Sequence, residues 1–316
     1  MSWSERLLKV ISGQVVLGVA STGGHLAQLE RWATILEFSR SSTIVTFQSP
    51  QAKRLERSWN LKYVDYLKPR DGVGAVRALR QLRPILNDAN PDVVLSTGAA
   101  IALPAAISAR AKAVPFVYLE SVSRFDGPSL TGKLLRFVPG VDRYCQHPGY
   151  GAGWREVDSL LGLYAVAERP SLGKDRPLRV FVTLGTIRPY GFDRLIATVL
   201  SFVTDSDEII WQLGESSPSL DLVGESVAYM TSEAFDAAVR WADIVVTHAG
   251  VGSLLAILEG GRLPLVMARS AAFGEHVDDH QSQVLMRLCS LGLAIDLASV
   301  ASREAFLRAS NYEVRV

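Results

Sequence analysis

Short apolar runs rich in β-branched residues return along this chain, each followed by a turn and then by apolar residues at helical spacing. Gln14–Ala20 (QVVLGVA), 43–47, 62–66, 92–96 (DVVLS), 115–119 (PFVYL) and 141–145 read as strands. Helices are predicted over 50–58, 72–88, 100–112 and 130–137. The pattern restarts with a strand at Leu178–Thr183, a helix at 190–203, strands at 208–213 and 226–229, a helix at 232–240 and a strand at 243–247. Strands apolar on both faces and separated by helices pair as a parallel sheet covered on each side. Ligands then gather at the carboxyl ends of the strands. The chain therefore predicts an α/β fold of two Rossmann-like domains facing each other, 1–160 and 161–316, with a linker over 147–177 where periodicity fades and Gly and Pro accumulate.

A length of 316 residues suffices for two cores. No apolar run reaches the roughly 20 residues a spanning helix needs, and no signal peptide is expected, because Glu5 interrupts the charged region. Cys145 and Cys289 lie far apart and outside any metal-ligand spacing, which fits a reducing, cytoplasmic setting.

Two glycine turns carry the chemistry. Ser21-Thr22-Gly23-Gly24-His25 follows the first strand and opens a helix marked by Leu26, Leu29, Trp32, Ala33 and Leu36. It is not a G-x-G-x-x-G turn, so no dinucleotide is indicated. Gly23 and Gly24 let a ligand approach the backbone, and His25 stands at the helix start. At neighbouring strand ends lie Thr97-Gly98 and Glu120-Ser121 with Arg124 and Asp126, so that Glu120, His25 and Asp126 are the candidate acid–base residues.

The second turn lies in Val245–Gln281, which holds three of the five histidines. Gly250, Gly252 and Ser253 open a predicted helix over Ala249–Gly261. Unpaired N–H groups and the positive end of the helix dipole make such a turn a diphosphate site, with Gly185 and Thr186 closing over it. The polar loop that follows offers Glu275, His276, Asp279 and Gln281 to sugar hydroxyls. His276 and His280 are spaced to share a metal on a helix, but no third ligand is evident and no metal is expected. Arg269, after a strand at Pro264–Ala268, suits a carboxylate, which makes glucuronate the first donor to test.

Charge divides unevenly. Residues 1–160 carry 20 basic and 13 acidic residues, a balance of +7; residues 161–316 carry 13 and 19, a balance of −6. The basic excess lies mainly between Gln51 and Arg83. No RNA-binding motif or aromatic stacking platform accompanies it, so an anionic membrane surface, and not nucleic acid, is the expected partner. The first 12 residues (MSWSERLLKVIS) form either an interfacial helix with Trp3 at headgroup level or a terminus packed on the domain.

STGGH (21–25), VLSTGAA (94–100), YLESVSR (118–124), SLTGKLLR (129–136), FVTLGT (181–186), ADIVVTHAGVGS (242–253) and FGEHVDDHQ (273–281) together resemble the paired bacterial exopolysaccharide glycosyltransferase subunits, here fused with the acceptor half first. Those are similar to the eukaryotic two-subunit enzyme that adds the second N-acetylglucosamine to dolichol diphosphate, and more distantly to the peptidoglycan transferase MurG. The resemblance implies a GT-B fold without cofactor. It also implies inverting, metal-independent transfer from a UDP-sugar to a polyprenyl-diphosphate-linked saccharide at the inner face of the plasma membrane. It assigns His25 to the glycine-loop histidine, Glu120 to the glutamate after the fifth strand, His248, Gly250, Gly252 and Ser253 to the diphosphate loop, and Gln281 to the donor sugar. Where the family places a ribose-binding glutamate this chain has Ala256, and Glu259, one turn on, is the expected substitute. A sugar-nucleotide 2-epimerase of the same fold and a non-catalytic partner of another transferase are the competing readings.

Overall fold

The computed structural model describes residues 3–68, 70–170, 177–186, 190–218, 220–275 and 280–316. The chain divides into two compact units, Met1–Gly162 and Leu163–Val316.

The first unit runs α1 (Trp3–Ile11), β1 (Val16–Ala20), α2 (Gly24–Ile35), β2 (Thr43–Thr46), α3 (Pro50–Leu55), β3 (Asn60–Tyr63), α4 (Gly72–Ala89), β4 (Val93–Gly98), α5 (Ala102–Ala111), β5 (Phe116–Leu119), α6 (Leu130–Leu135), β6 (Val141–Cys145) and β7 (Arg155–Glu156). Its seven strands order as β3-β2-β1-β4-β5-β6-β7, and every pair is parallel. β1, β2, β4 and β5 are buried along their whole length, because helices cover both faces of the sheet. Strand order reverses between β1 and β4, so their carboxyl ends form the switch point where such sheets bind ligands.

α1 turns its apolar side inward: Leu7 and Ile11 belong to the core on one face of this sheet. The interfacial-anchor reading is corrected accordingly, and the side chain of Trp3 lies outside the described residues. β3 begins two residues before its expected start, as an edge strand with alternate residues exposed and little apolar signal.

The second unit runs β8 (Ala165–Glu168), β9 (Arg179–Thr183), α7 (Asp193–Leu200), β10 (Glu208–Gln212), β11 (Glu225–Val227), α8 (Ser232–Trp241), β12 (Ile244–His248), α9 (Val251–Glu259), β13 (Pro264–Met267), α10 (His280–Ser290), β14 (Ile295–Asp296), α11 (Arg303–Leu307) and β15 (Tyr312–Arg315). Six strands form a parallel sheet ordered β11-β10-β9-β12-β13-β14, with its switch point between β9 and β12. β8 pairs antiparallel with β15 from the far end of the chain. The expected linker is thus corrected: β7 extends the first sheet and β8 begins the second unit. A two-residue strand at the sheet edge and four-residue strands with remote partners leave almost no period in the sequence.

Candidate functional site

Each switch point places a histidine against glycine. In the first unit the His25 Nδ1 lies 2.6 Å from the Thr97 carbonyl oxygen, and the Thr97 hydroxyl donates back to the His25 carbonyl at 2.7 Å. A carbonyl only accepts, so Nδ1 carries the proton and Nε2 presents a lone pair. Burial holds the imidazole below its ordinary value of 6.5, while the Thr97 bond and the Glu120 charge act in the other direction. Gly98 has φ +104°, and a Cβ there would lie 2.9 Å from the His25 ring. The glycine makes room for the histidine. Gly23, at φ +83°, caps α2 without a side-chain bond; Gln51 brackets it, accepting from its N–H at 2.7 Å and donating to its carbonyl at 3.0 Å.

Glu120, 1% exposed, directly follows β5 with both oxygens engaged. Oε1 accepts from the Tyr118 hydroxyl at 3.0 Å and the Ser121 N–H at 3.1 Å; Oε2 accepts from the Ser129 N–H and hydroxyl, both at 2.9 Å. Ser129 in turn caps α6. Asp126 is exposed and joins none of these bonds. Of the two expected acid–base residues held in the fold, Glu120 has both oxygens engaged, while His25 keeps the Nε2 lone pair without a partner among the described residues.

Gln146, and His147 and Tyr150 from the expected linker over 147–177, fasten the loop that follows β5. Gln146 Nε2 donates to the Glu120 carbonyl at 2.9 Å, His147 Nε2 to the Val122 carbonyl at 2.6 Å, and the Tyr150 hydroxyl to the Arg124 carbonyl. Three side chains thus hold every second carbonyl of a loop that turns at 121–124, where the Arg124 N–H donates to the Ser121 carbonyl at 2.9 Å. From α2, Gln28 donates to the Ser121 hydroxyl at 3.0 Å and accepts from the Val122 N–H at 2.8 Å. Sequence reasoning passed over these four residues. A signal existed for Gln28 alone, an amide three residues after His25 among apolar helix positions.

In the second unit His248 ends β12, mostly buried. Gly185, at φ +78°, would bring a Cβ within 2.6 Å of its ring, and a Cβ on Gly250 would come within 2.2 Å of Nε2. Gly250 caps α9 with no side-chain bond, so the first-turn N–H groups, including those of Gly252 and Ser253, meet no capping side chain. Thr186 is exposed beside this turn.

Several expected donor contacts are engaged elsewhere. Glu259 is the last residue of α9, about two turns from Gly250, and its carboxylate accepts from the Tyr164 hydroxyl at 3.4 Å. Its assignment to the ribose is corrected, because the helix axis carries it away from the turn. Arg269 is 1% exposed, and its guanidinium donates to the carbonyls of Leu184 (2.7 Å), Gly191 (2.8 Å), Glu275 (3.0 Å) and Tyr190 (3.3 Å). A guanidinium so engaged is not placed to receive a sugar carboxylate, which corrects that expectation. Glu275 is buried and paired with Arg194 at 2.8 Å, not presented to hydroxyls. The Gln281 Oε1 accepts from the N–H groups of Arg269 (3.1 Å) and Ala249 (3.3 Å), while its amide nitrogen bonds no described residue. His276 and Asp279, and with them the two-histidine metal reading, lie outside the described residues.

The segment around this second turn also has known counterparts. Residues 179–300 match the glycosyltransferase family 28 C-terminal domain. The UDP-N-acetylglucosamine–N-acetylmuramyl-(pentapeptide) pyrophosphoryl-undecaprenol N-acetylglucosamine transferase of Shewanella amazonensis is 26% identical over 232 residues, covering 69% of this chain and 62% of that protein. The chain thus spans about 62% of the length of the curated relatives it matches. Among solved structures, MurG of Acinetobacter baumannii aligns with a TM-score of 0.55 at 16% identity, over 94% of this chain and 93% of that one. The UDP-GlcNAc 2-epimerase of Neisseria meningitidis aligns at 0.53 and 12% identity, over 94% of both chains. These likenesses show the fold, the two Rossmann-like units of the GT-B glycosyltransferases. The family 28 match falls on the unit with the uncapped α9.

Proposed function

We propose that the protein is an inverting glycosyltransferase moving a sugar from a UDP-sugar to a polyprenyl-diphosphate-linked saccharide in exopolysaccharide synthesis. The observation that carries this reading is the uncapped start of α9, framed by Gly185 and His248, inside the segment that matches the family 28 domain. Free N–H groups and the helix dipole favour the charge that develops on departing UDP, so stabilisation of the leaving group needs no metal. On the first unit, His25 Nε2 takes the proton of the acceptor hydroxyl as its oxygen attacks the anomeric carbon from the face opposite UDP. That direction of attack inverts the configuration. Glu120 then serves by holding the 121–129 loop.

An anionic membrane surface at the inner face of the plasma membrane is the proposed place of work. Leu130, Leu134 and Phe137, on and just after α6, are exposed, as are Val73 and Val76 on α4. Lys133, Arg136, Arg77 and Arg80 are exposed among them, and α5 packs against both helices. Apolar side chains interspersed with cations suit insertion among anionic headgroups. Glucuronate loses the support of Arg269 and enters a donor panel beside N-acetylglucosamine, glucose and galactose.

Purified protein is incubated with each UDP-sugar, with and without polyprenyl-diphosphate-glucose, and UDP release is followed. Release that requires the acceptor supports the proposal. A UDP-sugar isomer formed without acceptor establishes the epimerase reading, whose fold is shared. Absence of UDP binding in calorimetry leaves only a non-catalytic partner.

A further inference from the structure

The polar side chains around the donor-side turn bind the protein's own backbone, and Arg269 stands at their centre. Its planar fork reaches carbonyls of three separate segments: Leu184, just before Gly185; Tyr190 and Gly191; and Glu275. The Phe192 ring covers it at 4.7 Å. Its Nε–H has no partner among the described residues. Burial lowers the guanidinium to about 10, with Glu275 acting in the other direction, so it stays a cation at neutral pH.

The neighbours complete the fastening. Arg194 grips both oxygens of Glu275 at 3.1 and 2.8 Å and the Ala268 carbonyl at 2.8 Å. Glu275 accepts from the Ser270 N–H at 3.0 Å, and Gln281 joins Arg269 to Ala249. The Arg269 guanidinium therefore ties the loops after β9 and β13, and Gln281 adds the loop after β12.

We propose that Arg269 is a positioning residue that holds the Leu184-Gly185-Thr186 turn and the 268–275 loop in a single donor-binding arrangement, without touching the donor sugar. This rests on the functional reading above. Only a group with several donors in a rigid plane satisfies carbonyls converging from three directions; a lysine ammonium on a flexible stem does not. Misplacing such a turn by about 1 Å is enough to weaken a site strongly.

Arg269→Lys in the full chain is titrated calorimetrically with UDP, UDP-glucuronate and UDP-glucose, and its melting temperature is recorded. Affinity for all three is expected to fall by one common factor of about tenfold or more. Arg194→Lys, at a half-exposed position, gives a smaller loss of the same pattern and serves if the first variant does not fold. The proposal is overturned if UDP affinity is kept while the preference between the two sugar nucleotides shifts, which would mean direct contact. It is equally overturned if only the melting temperature falls. Wild-type protein that binds none of the three removes the donor site, and this proposal with it.

Discussion

Both units set a histidine at the switch point of a parallel sheet, in space that a glycine leaves open, yet they fix the surrounding loops by different means. The first adds neutral donors to the Glu120 carboxylate: Gln28, Gln146, His147 and Tyr150 hold the backbone from Glu120 to Arg124. The second uses charge: Arg269 amid carbonyls, and the Arg194–Glu275 pair. The difference matches what each switch point is proposed to do. A base works as the neutral imidazole, and the Thr97 carbonyl on Nδ1 sets its tautomer. A site for an anionic diphosphate gains from a nearby buried cation.

The comparison breaks most sharply at His25. His25→Ala is expected to lower turnover by about 10²–10⁴-fold and leave UDP affinity within a few-fold, read from initial rates and calorimetry. Because the folded imidazole titrates below 6.5, its basic form persists under mildly acidic conditions, and the acid limb of kcat/KM falls below pH 6.5. The linked stability has the same sign. The unfolded chain takes up this proton first, so folding weakens as pH drops through 6.5. An acid limb that survives in His25→Ala would move the role of base to another residue.

The glycines test the parallel itself. Gly98→Ala and Gly185→Ala each force a Cβ into an imidazole at a positive φ. The first should cost turnover and the second UDP affinity, each by about tenfold. Equal effects on both parameters would mean that the units do not divide the work.

Glu120→Gln comes next. The amide presents an N–H where Ser129 also donates, so stability should fall by about 1–3 kcal/mol in a denaturant titration. Turnover should drop while the acid limb stays in place; loss of that limb would restore Glu120 as the base. Tyr150→Phe removes one bond to the Arg124 carbonyl, worth about 0.5–1.5 kcal/mol. A rise of a few-fold in acceptor KM with UDP affinity unchanged is its expected mark.

Much of this was legible beforehand. β1, β4, β5, β9 and β12 announce themselves because strands covered on both faces must be apolar throughout. The two glycine turns follow directly from them. β7, β8 and β15 were not legible, being short and paired with remote or edge partners. Glu259, Arg269 and Glu275 were read as ligand contacts because polar residues near a strand end look alike whether they face solvent or backbone. The sequence by itself determined two parallel sheets, their switch points, and the histidines and glycines placed there, since hydrophobic period and turn chemistry are local properties. Only the tertiary structure decided which polar groups were already engaged, because a donor's partner lies on another loop and burial turns an apparent ligand contact into a tie within the fold.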